Sequence, residues 1–510
     1  MEIEFKFCIP PERLAAVLIA VRRGKFSLIR MEAHYFDTPK GALASRGIAF
    51  RLRREGDEWV QTVKAMGEGP LDREEHNATV GRVDESAHPP WPNPELHAGT
   101  VAGTQLLETL TADKTPLVET YSTEMDRLTR DISFRGGLVE LAFDLGKVVA
   151  HRGAPQQCEA RICELEFELK EGPVSGLENI AKRWTARHGL FLSTVSKAER
   201  GERLMAGQAV KPATRANAMR TDGTALLSLT GEALQRAVFA NCLQQILGNV
   251  SEIVEGSSDE EHVHQLRIGI RRLRTALREL ETLAPERFQS TWEPVLVDVF
   301  QRLGVLRDRG EALTILSSEL HKAGAPAFKL AASAEDDVNT SAAAIVKTVA
   351  FQAALIELMA FTVQGHANSM RDEDAQDVAD TRRLLQKRLR RLYAQVNKAA
   401  RKFSKLSVDE QHRLRKRLKR LRYLTEFVTP ALDTQGARFL DSLKPALAAL
   451  GRLNDERVAG SLYREIALTD PRAWFAVGWL AAREKLTLSN CEKALSKIGV
   501  LPKLRKPSKS

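Results

Sequence analysis

Near Thr224 the spacing of apolar residues changes, and that change decides what each part of the chain can fold into. Before it, apolar and polar side chains alternate, the period of a half-buried strand; after it, apolar residues recur at three and four, the period of an amphipathic helix. A strand-rich part therefore precedes a helical part, which makes the protein multidomain α+β. At 510 residues the chain has material for more than one core. Gly207 to Gly223, with Lys211-Pro212 and no apolar period, reads as a connection. The expected division is a strand-rich domain over 1–205, a linker over 206–223 and a helical domain over 224–503.

The first strand shows the pattern that the next hundred and seventy residues repeat. Glu2, Glu4 and Lys6 share one face, and Ile3, Phe5 and Phe7 share the other. Arg51 and Arg53 then fall on one face, Thr62 and Lys64 on another, and Arg73, Glu75 and Asn77 alternate with Glu74 and His76. Glu140, Ala142 and Asp144 oppose Val139, Leu141 and Phe143, and Glu164, Glu166 and Glu168 oppose Leu165, Phe167 and Leu169. A sandwich would leave all these charged faces outside; a sheet curled into a barrel would line its lumen with them and turn its apolar faces outward under helices. Helices are available after Pro10-Pro11 (Leu14, Val17, Leu18, Val21), around Leu177, Ile180, Ala181 and Trp184, and over Ser196 to Met205.

A lumen holding both signs has a chemical reading. Ammonium and guanidinium groups bind phosphate oxygens, whereas carboxylates reach phosphate only through a divalent cation such as Mg²⁺ or Mn²⁺. The pattern points to metal-dependent chemistry on a polyphosphate group.

The opening Glu-x-Glu-x-Lys, Tyr35-Phe36-Asp37-Thr38-Pro39, Arg51-Leu52-Arg53, Lys64, Glu164 with Glu166, and Ser196-Lys197 resemble the CYTH domain of the triphosphate tunnel metalloenzymes over about residues 1–205. The resemblance implies an antiparallel eight-stranded β-barrel with flanking helices, its tunnel binding a triphosphate with a divalent cation. Carried over residue by residue, it assigns metal binding to Glu2, Glu4, Glu75, Asp144, Glu164 and Glu166, and phosphate binding to Lys6, Arg51, Arg53, Lys64, Arg127 and Lys197. Glu2, Glu4, Lys6, Lys64 and Lys197 form the implied catalytic group, with Arg73, Lys147 and Glu168 as further choices.

In the helical part an internal repeat stands out. His264-Gln265-Leu266-Arg267 followed by Arg271-Arg272-Leu273-Arg274 returns as His412-Arg413-Leu414-Arg415 followed by Lys419-Arg420-Leu421-Arg422. Leu303-Gly304 before Arg307-Asp308 likewise returns as Leu450-Gly451 before Asn454-Asp455. His264, Arg267, Arg271 and Arg274 form one stripe along a helix, copied by His412, Arg415, Lys419 and Arg422, and neither segment contains a neutralising acid. These motifs resemble the CHAD domain over about 224–500. That resemblance implies tandem four-helix bundles with pseudo-twofold symmetry, repeats over about 224–370 and 371–503, and those eight residues facing inorganic polyphosphate, with association with polyphosphate granules as a further implication. Few aromatics interleave with the bases, which disfavours nucleic acid as the partner.

A net charge of +10 agrees with anionic ligands. Five scattered cysteines without a CxxC pair point to a reducing, cytoplasmic setting, and the acidic opening strand is not expected to act as a signal peptide. The most apolar run, Ala473 to Ala482, lies between Arg472 and Arg483 and is too short to cross a bilayer, so no membrane partner is expected. As an order of domains this resembles bacterial CYTH-CHAD inorganic triphosphatases, which hydrolyse tripolyphosphate to diphosphate and phosphate. Two alternatives stay open: hydrolysis of an organic triphosphate, thiamine triphosphate or a nucleotide, and a non-catalytic polyphosphate-binding scaffold.

Overall fold

The computed structural model describes residues 3–66, 73–82, 89–150, 158–219, 226, 228–283, 291–326, 341–364 and 372–505, without the side chains of 307–315 and 372–376. Glu2 therefore lies outside the described residues. The strand-rich part runs β1 (Glu4–Cys8), α1 (Leu14–Val21), β2 (Ser27–Asp37), α2 (Ala42–Ser45), β3 (Ala49–Glu55), β4 (Glu58–Met66), β5 (Arg73–Arg82) and α3 (Val101–Asp113). It continues through β6 (Val118–Phe134), β7 (Gly137–Ala150), β8 (Cys158–Glu171), α4 (Val174–His188), β9 (Phe191–Leu192) and α5 (Lys197–Ala206).

The strands form one tunnel-like antiparallel sheet in the order β5-β4-β3-β2-β6-β7-β8-β1-β9. It has one strand more than the eight expected, because Phe191 and Leu192 pair with Cys8 and Phe7 at the edge of β1. A two-residue strand is too short to show alternation in a sequence.

The register puts the charged residues of distant segments in rows. Cys8, Glu164, Asp144 and Arg127 are successive cross-strand partners through β1, β8, β7 and β6. One row along, Lys6 stands opposite Glu166; one further, Glu4 stands opposite Glu168, which stands opposite Glu140. On the far side Ala33 and Tyr35 of β2 face Arg53 and Arg51 of β3, and Lys64 of β4 faces Glu75 of β5. All of these belong to one face of the sheet.

The other face is the apolar one, and helices cover it. Phe36, Phe50, Leu52, Trp59 and Val63 bury against Leu43 of α2 and Ala102 and Leu106 of α3. Phe167 meets Trp184 of α4 edge-on at 5.6 Å, with Leu177 and Ile180 of the same helix buried.

The charged face is not charged throughout. Met31, Ala33, Tyr35, Tyr121, Met125, Val148 and Ile162 form an apolar patch on it, and α5 lies there with Ala198, Leu204 and Met205. Ser196 caps α5, its hydroxyl accepting from the Glu199 amide at 3.1 Å. Gly201 lets the helix approach closely: a Cβ there would fall 2.2 Å from the Tyr121 ring.

The helical part comprises α6 (Gly231–Val254), α7 (Glu260–Leu280), α8 (Trp292–Lys322), α9 (Ala342–Val346), α10 (Val349–Val363), α11 (Asp372–Ala400), α12 (Val408–Val428), α13 (Gly436–Ala467) and α14 (Trp474–Leu495). The start of α12 is fixed by a capping box between Ser407 and Glu410. Helices α11 to α14 pack in succession, and Leu316 and Leu320 of α8 join Ala459 and Tyr463 of α13 and Ala476, Val477 and Leu480 of α14 in one cluster. No helix among the described residues is long and apolar enough to cross a membrane.

The chain forms two compact units whose borders do not follow the change of period. The first is Met1–Arg215 with Leu243–Leu266 and Val346–His366; the second is Ala216–Cys242, Arg267–Ile345 and Ala367–Ser510. Within the first unit α10, buried on nearly every side, packs against α4, and the Leu192 amide donates to Gln352 Oε1 at 2.8 Å.

Candidate functional site

In the first unit the register and α5 together gather acids and bases from five segments. Arg127 clamps Asp144 with both ends of its guanidinium, Nε–Oδ1 2.7 Å and Nη2–Oδ2 2.6 Å, and Nη2 also donates to Glu166 Oε2 at 2.7 Å. Lys197 Nζ, at the first turn of α5, lies 2.8 Å from Asp144 Oδ2, 2.9 Å from Glu166 Oε1 and 3.7 Å from Glu164 Oε2. Lys6 Nζ lies 3.6 Å from Glu164 Oε2 and donates to the Val195 carbonyl. Asp144, Glu164 and Lys197 are buried, so these charges interact with little screening.

The charges of the cluster bear on one another's protonation. Burial would raise the Glu166 carboxyl, but Lys197, Arg127 and Lys6 outweigh it and hold Glu166 well below the usual carboxylate range. Burial would likewise lower Lys197, but Glu164, Glu166 and Asp144 push it well above the usual lysine range.

On the other side of the same face the bases are less matched. Arg51 donates to the Tyr35 hydroxyl at 3.2 Å, and Tyr35 stacks on Tyr121 at 4.6 Å. Arg53 pairs with Glu55; burial and then its neighbour Arg51 lower its proton affinity. Lys64 pairs with Glu75, which also accepts from Asn77 Nδ2 at 3.1 Å; burial raises the Glu75 carboxyl, yet Lys64 brings it below its ordinary value.

The structure thus brings Lys6, Arg127, Asp144, Glu164, Glu166 and Lys197 into direct contact. Glu4, Arg51, Arg53, Lys64 and Glu75 share their face of the sheet. Of the further choices, Arg73 and Glu168 belong to this face, whereas Lys147 is on the opposite one and pairs with Glu159 at 2.7 Å. Sequence reasoning missed Arg200, whose Nε stands 3.9 Å from Glu164 Oε1; its position one turn after Lys197 was the available signal.

Whether these residues fit a divalent cation is a matter of donors. Among the described residues no three His, Cys, Asp or Glu side chains form a ready-made metal cage, because ammonium and guanidinium groups stand between the acids. The donors are all carboxylate oxygens, the type a hard cation takes, and both buried oxygens of Glu164 accept no hydrogen bond. Asp144 and Glu166 are occupied by Arg127 and Lys197; Glu164 is the acid left with ligating capacity.

The second unit holds a separate basic cluster. Arg267 and Arg271 of α7 stand over the Phe300 ring of α8 at 5.1 and 5.2 Å, and Arg274 at 5.9 Å. Burial and then repulsion from Arg271 and Arg415 push the Lys419 ammonium down to about 7, against an opposing pull from Asp455. Charges of the two matching stripes thus lie near enough to act on one another. Burial, then Lys416 and Arg415, also lower His412, opposed by a hydrogen bond with Asn454. Asn454-Asp455 thus serve His412 and Lys419; the counterparts Arg307 and Asp308 lie outside the described side chains.

Neither segment holds an acid of its own, yet in the fold acids from beyond them reach Arg274 and Arg422, and another takes the neighbouring Arg388 and Arg420. Arg274 reaches Glu293 at 3.3 Å, Arg422 reaches Glu426 at 3.9 Å, and buried Glu279 takes both Arg388 and Arg420. The acids come from the ends of the same helices and from neighbours, beyond the segments where the stripe is read. His264, half-buried on α7, belongs to a segment of the first unit.

An antiparallel tunnel sheet with an acid–base face, followed by a helical array with a repeated basic stripe, defines the class: the chain carries a CYTH domain, matched over residues 1–201, followed by a CHAD domain, matched over residues 237–464. Among individual relatives it is similar to an inorganic triphosphatase of Haemophilus influenzae, 28% identical over 210 residues. That match takes in 39% of this chain and 54% of the relative, about half its length. Of solved structures, it is similar to the CHAD domain from the plant Ricinus communis (24% identity, 58% of this chain, 99% of that one, TM-score 0.43). It is also similar to a Hippeastrum protein first assigned as an adenylyl cyclase and described as revealing a dominant triphosphatase activity (15%, 41% and 98%, TM-score 0.29).

Proposed function

We infer that the protein is a cytoplasmic, Mg²⁺- or Mn²⁺-dependent inorganic triphosphatase that releases phosphate from tripolyphosphate, with a polyphosphate-binding helical domain. One observation carries the reading: buried Glu164, its oxygens accepting no hydrogen bond, lies among Lys6, Lys197 and Arg200. A phosphate chain bound together with a divalent cation would satisfy both signs at once.

In this reading Glu164 and Glu4, with Glu2, would hold the cation, while Asp144 and Glu166 keep Arg127 and Lys197 in place beside it. When bound, the cation neutralises phosphate charge and lowers the pKa of a bound water. Arg51, Arg53 and Lys64 hold the phosphate chain along β3 and β4. Lys6, Arg127 and Lys197 face the charge that moves onto the leaving diphosphate, and they need not reorganise, because their acids already fix them. A glutamate of the cluster accepts the proton of the attacking water. The basic cluster of Arg267, Arg271, Arg415 and Lys419 binds longer polyphosphate by counterion release.

The test is phosphate release from tripolyphosphate, long-chain polyphosphate, ATP and thiamine triphosphate, each with and without Mg²⁺ or Mn²⁺. Metal-dependent turnover should be greatest on tripolyphosphate, and Glu4→Gln and Arg53→Ala should each abolish it while melting like the parent. Parental turnover by both variants removes the tunnel from the reaction.

A further inference from the structure

Lys197 reaches the acid cluster from α5, and α5 is fastened by two carboxylates that lie outside the residues matching the CYTH domain. Arg203 of α5, 6% exposed, is gripped by Glu252, 4% exposed: Nη1 lies 3.2 Å from Oε2, and Nη2 donates to Oε1. Arg200 donates to Glu255, Nη2–Oε1 2.8 Å and Nη1–Oε2 3.4 Å. The same short stretch holds the approach to the helix. Ser251 Oγ accepts the Thr194 amide at 2.9 Å, and Glu255 Oε1 accepts the Ser193 hydroxyl at 3.3 Å.

On its sheet side α5 has no room to move inward, since Gly201 already rests on Tyr121. The helix is therefore set between an aromatic ring and a pair of carboxylates. Buried ion pairs add little net stability over apolar packing, but they fix geometry, because a displaced partner leaves a charge buried and unpaired. Arg200 also faces Glu164, so the residue that Glu255 holds borders the cluster itself.

We propose that Glu252 and Glu255 are positioning residues for the tunnel: through Arg203 and Arg200 they fix α5, and with it the Lys197 ammonium against Asp144, Glu166 and the substrate phosphate. The activity arm of this proposal rests on the triphosphatase reading. The part of the sequence that reads as helical domain thus supplies a component of the tunnel.

The experiment uses the full chain with Glu252→Gln, Glu255→Gln and Glu255→Asp. Steady-state phosphate release from tripolyphosphate with Mg²⁺ is measured beside hydrogen exchange of peptides covering 197–206. Misplacing a catalytic group by about 1 Å costs up to ~100-fold in rate, so Glu255→Gln should lower kcat by about tenfold or more with little change in KM. Peptides of α5 should exchange faster while those of β6 to β8 stay as in the parent, and Glu255→Asp, which keeps the charge, should stay nearer the parent than Glu255→Gln. Should Glu252→Gln fail to fold, the partly exposed Glu255 pair decides alone. A lowered melting temperature with parental kcat per folded molecule and parental exchange in α5 overturns the proposal. If the parent itself releases no phosphate, the triphosphatase reading fails, and exchange over 197–206 still decides the positioning: faster upholds it, unchanged refutes it.

Discussion

Lys419 offers a quantitative test of the helical domain, because its ammonium is pushed down to about 7 in the free protein. At pH 8 a group with that pKa is about nine-tenths neutral, and a phosphate chain laid against it would restore the charge toward the ordinary ~10.4. Binding should then take up ~0.9 proton at pH 8, and affinity should fall about fivefold (~1 kcal/mol) from pH 7 to 8 and about tenfold (~1.4 kcal/mol) per unit above that. The sign follows from the direction: the free state loses its proton first as pH rises, so high pH favours release. His412 is lowered as well, and even if a phosphate chain restored it to the ordinary ~6.5 it would stay neutral at pH 8, so it does not feed the change. The assay is calorimetry of long-chain polyphosphate at fixed salt in buffers of different ionisation enthalpy; the slope gives the protons taken up. Lys419→Arg keeps the positive charge at every pH tested, and should bind while abolishing the uptake. No proton uptake by the parent at pH 8, or undiminished uptake in Lys419→Arg, refutes the argument.

Two further outcomes follow from the tunnel. Gly201→Ala gains up to ~1 kcal/mol of helix propensity, yet its Cβ would fall 2.2 Å from the Tyr121 ring, and such overpacking costs about 1–3 kcal/mol; urea unfolding should show a net loss. A gain would mean α5 does not rest on that ring. Glu166 is depressed in the folded protein, so its stabilisation is complete above the unfolded value of ~4.3 and is lost as pH falls below it. The parent's melting temperature should therefore drop more than that of Glu166→Gln between pH 6 and 3. At pH 7 the substitution should cost less than the ~3–5 kcal/mol of a broken buried pair, because Asp144 still holds both Lys197 and Arg127. Equal acid slopes in the two proteins would contradict the ion-pair assignment.

Much of the tunnel could be read from alternation, because a period of two fixes which residues share a face of their own strand. Glu164 and Glu166, Asp144, Lys6, and Arg51 and Arg53 all fall on the face so read. Alternation says nothing about register between distant strands, so the clamp of Arg127 on Asp144, seventeen residues apart on paired strands, was beyond it. Nor does it show where a face changes character. Met31, Ala33, Tyr121 and Met125 sit among the charged rows because α5 needs an apolar seat there. In the helical part, Glu426 stands four residues after Arg422 and was legible as its partner; Glu279, which takes Arg388 and Arg420 from two other helices, was not. The recruitment of Glu252, Glu255 and Gln352 into the first unit depends on tertiary contact alone, and helical periodicity carries no sign of it.

The discontinuous first unit bears on how the chain is made. Its last segment ends at His366, 151 residues after the first segment ends at Arg215. At ribosomal speeds of ~5–20 residues per second, the first segment must wait roughly 8–30 s before the last one, which carries α10, has been synthesised. Until then α4 lacks α10, whereas Arg203 has Glu199 from the start and gains Glu252 37 residues past Arg215, so the nascent unit offers the uncovered side of α4 to chaperones, and a gene shortened to the strand-rich segment would leave it permanently in that unfinished state.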